Sequence, residues 1–216
     1  IANSADVEVV LFDSEDITEA NAAEKLKDLA GVIVPGGFGL RGIEGKISAI
    51  RYCRESGKPF LGICLGMQVA AIEFARNVIG IKGATSQEFD EDSKDKIIHI
   101  MEDQKNVTEI GGTMRLGAYP CSLEKSSKAA LSYGALEVSE RHRHRFEFNN
   151  DYRDKFIENG VVFSGLSPDA QLVEIMEVSS HPWFVAVQFH PELKSSPMEP
   201  HPLFRDLVKA ALVHIG

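Results

Sequence analysis

One of the three cysteines in this 216-residue chain, Cys64, sits in the sequence Gly62-Ile63-Cys64-Leu65-Gly66. An apolar run precedes it and a helical pattern follows. A cysteine with glycine at both second neighbours, between strand and helix, has the geometry of a nucleophile elbow, a tight turn that lifts the reactive atom above a sheet edge. Side chains at the two glycines would clash with the strand and the helix. The helix beginning at Leu65 offers free N–H groups and a dipole that favour a thiolate. The Leu65 N–H can also point at an oxyanion. Most free cysteines are small buried hydrophobes, and Cys53, on the apolar stripe of a predicted helix, is read that way. The turn is what sets Cys64 apart.

A thiolate works with a general base or ion-pair partner, usually histidine. Of seven histidines, His190 ends the apolar run 184–189 and is followed by Pro191 and Glu192. Residues i and i+2 of an extended segment share a side. Glu192 can therefore reach the ring nitrogen that faces away from the thiol, fixing the tautomer and stabilising the imidazolium. His-Pro-Glu alone favours a surface loop; beside the cysteine turn it completes a Cys64-His190-Glu192 triad.

Two further stretches bear on chemistry. Pro35-Gly36-Gly37-Phe38-Gly39-Leu40-Arg41-Gly42 contains a G-x-G-x-x-G pattern after a strand and before a helix, a dinucleotide-binding look-alike. The next strand ends in Cys64 and not in a ribose-binding acid, and no Lys-Ser/Thr follows, so an oxyanion loop is the better reading, with Gly37 N–H paired with Leu65 N–H; the alternative is a plain turn. The run Arg141-His142-Arg143-His144-Arg145, if extended, puts its arginines on one face and its histidines on the other. A solvated face is the default for such a run. A nucleic-acid patch conflicts with the net charge, and a metal site lacks a second ligand pair. One arginine could grip a substrate carboxylate.

The elements that must position these groups begin with alternating strands and helices. Strands are predicted at 7–12, 31–34 and 60–63. Helices are predicted after Asn21 to near Leu29, from Ile43 to a stop at Gly57, and from Leu65 with Val69, Ile72, Ala75 and Ile79 on one face. That order predicts an α/β fold, an open, mostly parallel sheet flanked by helices. Strands at 96–101, 136–139, 141–148, 161–165, 172–178 and 184–189 then add antiparallel strands in the second half. The chain closes on an amphipathic helix with Leu203, Leu207, Ala211 and His214 along one face. No repeat or low-complexity linker divides it, so 1–216 is read as one domain.

Hydrophobic residues make up 44 % and charged residues 25 % of the chain, an ordinary globular composition. The net charge of −9 disfavours a nucleic-acid partner. No apolar stretch is long enough to span a membrane and no signal peptide is visible. The odd, widely spaced cysteines are no disulfide framework and point to a reducing, cytoplasmic setting. The start at Ile1, without Met and close to a predicted strand, suggests a part of a longer chain.

These residues together resemble the class I (triad) glutamine amidotransferases. The matching blocks are Val34-Pro35-Gly36-Gly37-Phe38-Gly39, Leu61 to Gln68, and Gln188-Phe189-His190-Pro191-Glu192. Gly111-Gly112-Thr113-Met114-Arg115-Leu116-Gly117, the Arg141 to Arg145 run and His181-Pro182-Trp183-Phe184 resemble the CTP-forming branch of that family. The resemblance implies that Gly37 and Leu65 form an oxyanion hole. It implies that Gly66, Met67, Gln68, Glu88 and Arg145 help hold L-glutamine, with Glu88 suiting its ammonium and Arg145 its carboxylate. It implies no metal or cofactor in this domain. ATP, Mg and UTP belong to a covalently linked N-terminal synthase domain absent from this chain, and GTP acts as activator, with 111–117 a candidate lid. The full-length protein is expected to be a homo-oligomer. Two rivals stay open: an amidotransferase or γ-glutamyl hydrolase for another substrate, and a glutaminase-like domain kept for assembly.

Overall fold

The structure, a computed structural model, describes residues 1–100 and 114–215. Its main sheet orders seven strands as β1 (Val32–Val34), β2 (Phe60–Ile63), β10 (Phe184–Val187), β9 (Val173–Val178), β8 (Val161–Leu166), β5 (Arg115–Leu123) and β6 (Glu137–His144). The β1–β2 and β2–β10 pairs are parallel, and the remaining pairs are antiparallel. A smaller sheet joins β3 (Thr85–Ser86), β4 (Lys96–Ile100) and β7 (Phe146–Phe148). The fold is thus α/β, parallel where strands alternate with helices and antiparallel where the second half of the chain supplies consecutive strands.

Helices α2 (Ile43–Ser56) and α3 (Leu65–Phe74) cover one face of the sheet, and α6 (Pro202–Ile215) and α4 (Lys128–Tyr133) cover the other. Gly57, at φ +72°, closes α2 and returns an N–H to Cys53 O, the left-handed helix stop that the Gly57-Lys58-Pro59 sequence predicts. Every residue of α3 is buried, so its apolar pattern runs all round and not along a single stripe, as a helix enclosed by sheet and neighbours requires. A π-helical turn, Ala75–Ile79, extends it. Cys53 is fully buried, and burial pushes its thiol up to about 12.

Several expectations need correction. Residues 7–12 form no strand: they are exposed and pair with nothing regular among the described residues. Helix α1 is shorter than predicted, Ala22–Leu26, and Asn21 does not cap it; its side chain instead accepts from Thr18 N–H and donates to Asp16 O. Residues 137–139 and 141–144 belong to one strand, β6, which continues through the buried Glu140, and the predicted strand 141–148 breaks at Arg145, its last three residues forming β7 in the smaller sheet. The strand β5 was not predicted, because Gly117 and Pro120 interrupt its pattern; it is an antiparallel partner of β6 along eight residue pairs. The strand predicted at 96–101 is β4 up to Ile100, with Met101 outside the described residues, as are positions 111–113 of the proposed lid.

Candidate active site

Cys64 occupies the junction of β2 and α3 with φ +52° and ψ −105°. A non-glycine residue pays about 1–3 kcal/mol for such a conformation unless its surroundings enforce it. The surroundings here do. Cys64 N–H donates to Val187 O at 2.7 Å, and Cys64 O takes the N–H groups of Met67 and Gln68. A Cβ on Gly62 would lie 2.9 Å from the Gly66 carbonyl carbon, and one on Gly66 would lie 2.1 Å from Val34 O. Each glycine therefore lets backbone meet backbone where a side chain cannot fit. The first-turn N–H groups of Leu65 and Gly66 have no acceptor within the helix.

The glycine-rich loop runs from β1 to Cys64. A Cβ on Gly36 would sit 2.9 Å from His190 Cε1 and 3.5 Å from Cys64 Cβ, and one on Gly37 would sit 3.2 Å from Leu65 Cδ2. The loop thus lies against Cys64, His190 and Leu65 at once. Gly42, the last glycine of the nucleotide-like pattern, faces Ser14: an added Cβ would fall 2.0 Å from Ser14 Oγ. That glycine seats the turn at Ser14–Asp16 and has a packing role.

His190 follows β10, and its N–H donates to Arg141 O at 2.8 Å. Its Nδ1 is 2.6 Å from Glu192 Oε1. The buried Nε2 has no hydrogen-bond partner within normal geometry among the described residues. The adjacent Cys64 thiol is the main influence that holds the ring's pKa up to about 10, with Glu192 next. Glu192 is held below the usual carboxylate range: burial pushes it up, but the His190 hydrogen bond, a backbone hydrogen bond and the charges of His190 and His201 together outweigh that. Cys64, His190 and Glu192 converge from two parallel strands and one turn.

The residues implied as glutamine ligands lie beside this triad. Glu88 accepts a 2.8 Å hydrogen bond from Gly39 N–H. Glu88 and Arg145 line one cavity of about 350 Å³ with Phe38, Ile100, Met114 and Phe146. Cys64 is not in that lining; Phe38, next to Gly37, connects the cavity to the glycine loop. Gln68 is buried, and its Nε2 lies 3.2 Å from both Phe146 O and Gln188 Oε1. Met67 is buried in the core, so only its backbone faces the nucleophile turn.

Sequence reasoning missed two buried polar clusters behind the site. Glu140 is fully buried and takes hydrogen bonds from Tyr133 Oη (3.0 Å) and Lys194 Nζ (3.0 Å), with His201 Nε2 at 3.2 Å. Burial pushes the Glu140 carboxyl up, but His201 and Lys194 together hold it below the ordinary range. Through Lys194 it ties the Pro191–Lys194 turn, which carries Glu192, to β6. In the second cluster Arg115 reaches Glu174 at 2.8 Å and Glu147 at 3.3 Å. His142 Nδ1 and His144 Nε2 are 2.8 Å apart beside them. Burial drives His142 down to about 2 and His144 to about 3, so both are neutral, and pushes Glu147 up to about 8. The face expected to be solvated is therefore solvated only on its arginine side, with Arg141 and Arg143 exposed. Glu140 meets Lys194 and His201 54 and 61 positions away, and Arg115 meets Glu147 and Glu174 32 and 59 positions away, beyond any local pattern; only the alternation of β6 hinted at the buried histidines. Among the described residues no group of three His, Cys, Asp or Glu is arranged to hold a metal ion, and no helix is long and apolar enough to cross a membrane.

Residues 1–210 match the family model described as glutamine amidotransferase class-I. The chain belongs to the class I glutamine amidotransferases. Within the family this amidotransferase domain is similar to the Trypanosoma brucei CTPS glutaminase domain with bound acivicin, at TM-score 0.90 and 39 % identity over 98 % of this chain and 83 % of that one. It is 57 % identical to the CTP synthase of Oleidesulfovibrio alaskensis over 222 residues, 98 % of this chain and 40 % of the relative. It is 58 % identical to that of Clostridium kluyveri over 211 residues, 98 % of this chain and 39 % of the relative. The amidotransferase domain thus spans about two-fifths of the length of these curated relatives.

Two measurements check the geometry of this site. Gly66→Ala drives a methyl into Val34 O, and urea denaturation is expected to show a loss of about 1–3 kcal/mol; an unchanged midpoint would mean the turn relaxes freely. The second is an NMR titration of the His190 ring. Its folded pKa lies above the ordinary 6.5, so the protonated ring contributes stability that is complete below about pH 6.5 and lost as the pH rises through about 10. His190 is expected to stay protonated from pH 6 to 8, and Cys64→Ala to bring its titration down toward the ordinary range. A wild-type midpoint near 6.5 would dissolve the ion-pair reading.

Proposed function

We propose that this domain hydrolyses L-glutamine to glutamate and ammonia through a thioester on Cys64. The observation that carries the proposal is the convergence of a strained, helix-capping cysteine with a histidine whose basicity depends on that cysteine. The Cys64 thiolate attacks the side-chain amide carbon of glutamine. The resulting oxyanion is met by the N–H groups of Gly37 and Leu65, each worth about 3 kcal/mol of barrier where such donors have been removed. The carbon–nitrogen bond then breaks, the His190 imidazolium gives its proton to the leaving nitrogen, and ammonia departs from the γ-glutamyl thioester.

The second half follows from the same electrostatics. Acylation removes the hydrogen bond to Cys64, the largest influence raising the His190 pKa, together with the thiolate charge. The ring, now neutral, takes a proton from water as the water attacks the thioester; collapse expels the thiolate and releases glutamate. Glu192 holds His190 Nδ1 throughout and keeps Nε2 directed at the reacting atoms. Glu88 and Arg145, on one cavity wall and of opposite charge, suit the α-ammonium and α-carboxylate of free glutamine. Gln68 and the backbone at Gly66 and Met67 complete the cradle.

The relatives support a wider reading. The domain is one part of a CTP synthase, its ammonia passing to a covalently linked synthase domain that aminates UTP using ATP and Mg, with GTP as activator and a cytoplasmic, homo-oligomeric full-length enzyme.

Treatment with a glutamine-like diazo-ketone, followed by peptide mass spectrometry, is expected to label Cys64, with glutamine protecting it, and to spare Cys53 and Cys121. Equal labelling of all three would defeat the nucleophile assignment. Arg145→Ala is expected to raise KM for glutamine at least about tenfold, as loss of a charge-assisted pair worth about 1.5–3 kcal/mol implies, while the diazo-ketone still reaches Cys64; an unchanged KM would remove Arg145 from the binding site.

A further inference from the structure

Gln68 stands in the first turn of α3, and its backbone N–H donates to Cys64 O. Its side chain is buried and ends between two oxygens: Nε2 lies 3.2 Å from Phe146 O and 3.2 Å from Gln188 Oε1. A backbone carbonyl can only accept, so Phe146 O fixes which end of the Gln68 amide faces it, the NH2 end. The same carbonyl lies 3.2 Å from His144 Nδ1, which carries its ring proton there for the same reason. The Gln68 NH2 also meets Gln188, and Gln188 can meet a donor only with its oxygen. Gln188 is itself buried, and its N–H donates to Glu174 O at 2.9 Å. It stands between Val187, whose carbonyl takes the Cys64 N–H, and His190 two residues on.

We propose that Gln188 is a positioning residue that sets substrate specificity: with Phe146 O it locks the Gln68 amide, so that Gln68 can offer a ligand only its carbonyl oxygen, and the site thereby selects γ-amides that carry an α-ammonium. This rests on the reading that L-glutamine is the substrate and that Gln68 belongs to its cradle. Both hydrogens of the Gln68 amide are spent, one on each oxygen. What remains is an acceptor, which suits an ammonium and opposes a carboxylate. Phe146 ties that acceptor to the right place, since it lines the cavity of about 350 Å³ together with Glu88 and Arg145. A Gln68 freed from Gln188 can turn its amide over and present NH2 instead. The site would then lose much of its preference for an ammonium over a bare CH2 at the α-carbon. The lock joins residues 120 positions apart, from the nucleophile helix to the strand end that carries the histidine, so the same contact that orients Gln68 also spans the two halves of the triad.

Cys64 labelling by two reagents tests this: the glutamine-like diazo-ketone, and the same molecule with hydrogen in place of its α-amino group. Gln188→Met keeps the length of the side chain and removes the acceptor. It is expected to raise the half-saturating concentration of the amino-bearing reagent at least about fivefold and to move that of the deamino reagent less than about twofold. Gln188→Glu returns an acceptor oxygen and is expected to restore the preference. Adding Gln188→Met to Gln68→Met is expected to cost nothing beyond Gln68→Met alone, because the pair acts as one unit. Equal losses with both reagents, or additive losses in the double variant, would make Gln188 a packing residue and overturn the proposal. NMR of the wild-type protein gives a readout that needs no variant to fold: the Gln68 side-chain amide protons are expected to exchange at least about tenfold more slowly than those of the exposed Gln171. Exchange as fast as that of Gln171 would overturn the lock even if Cys64 is labelled. Slow exchange in a wild type that neither reagent labels would instead sink the glutaminase reading, and the selectivity with it, and leave the lock standing.

Discussion

The left-handed backbone at Cys64 is the constraint on which the rest of the site depends. Holding a side chain at φ +52° requires that strand and helix be clamped on both sides of it. The clamp is made of close backbone approaches: Gly62 on Gly66, Gly66 on Val34, and Cys64 N–H on Val187 O. These contacts bring the carboxyl ends of β1, β2 and β10 together, where an open parallel sheet offers its ligand crevice. The glycine loop, the nucleophile and the histidine each leave one of these strands. A sheet that were antiparallel here would send the three ends to opposite edges.

Charge is managed in layers around that turn. At the surface of the site, His190 and Glu192 pair at 2.6 Å. Behind it, Glu140 gathers His201, Lys194 and Tyr133 and fastens the Pro191–Lys194 turn to β6. Deeper still, Arg115 bridges Glu147 and Glu174 beside two histidines that burial keeps neutral. Buried charges of this kind stabilise little in net terms, since desolvation offsets most of their attraction, but removing one partner is costly. β6, which carries Glu140 and the two histidines, supplies the carbonyl of Arg141 that takes the His190 N–H.

Much of the site was legible in the linear chain. The Gly-x-Cys-x-Gly pattern and the His-Pro-Glu step are local, as is the close approach of Gly62 to Gly66, although Val34 and Val187 complete the clamp from other strands. The stop of α2 at Gly57 was legible for the same reason. What was not legible has a common cause. β5 was hidden by Gly117 and Pro120, and its pairing with β6 is set by partners across the sheet. The helix cap at Asn21 and the strand at 7–12 failed because local pattern states a preference that only a neighbour can realise: Asn21 finds closer partners at Asp16 and Thr18, and residues 7–12 have no strand beside them among the described residues.

By itself, the sequence determined the chemistry on offer: a thiol at a turn that only glycines permit, an imidazole with a carboxylate two residues on, and an alternation that implies a sheet. The tertiary structure alone decided which groups meet. It set Gly36 against His190 and Cys64 together, brought Glu88 and Arg145 to one cavity, and buried Glu140, Glu147 and Glu174 with cations distant in the chain. The division follows from range: steric and dihedral limits act between near neighbours, whereas desolvation and charge pairing depend on which surfaces the completed sheet and helices enclose.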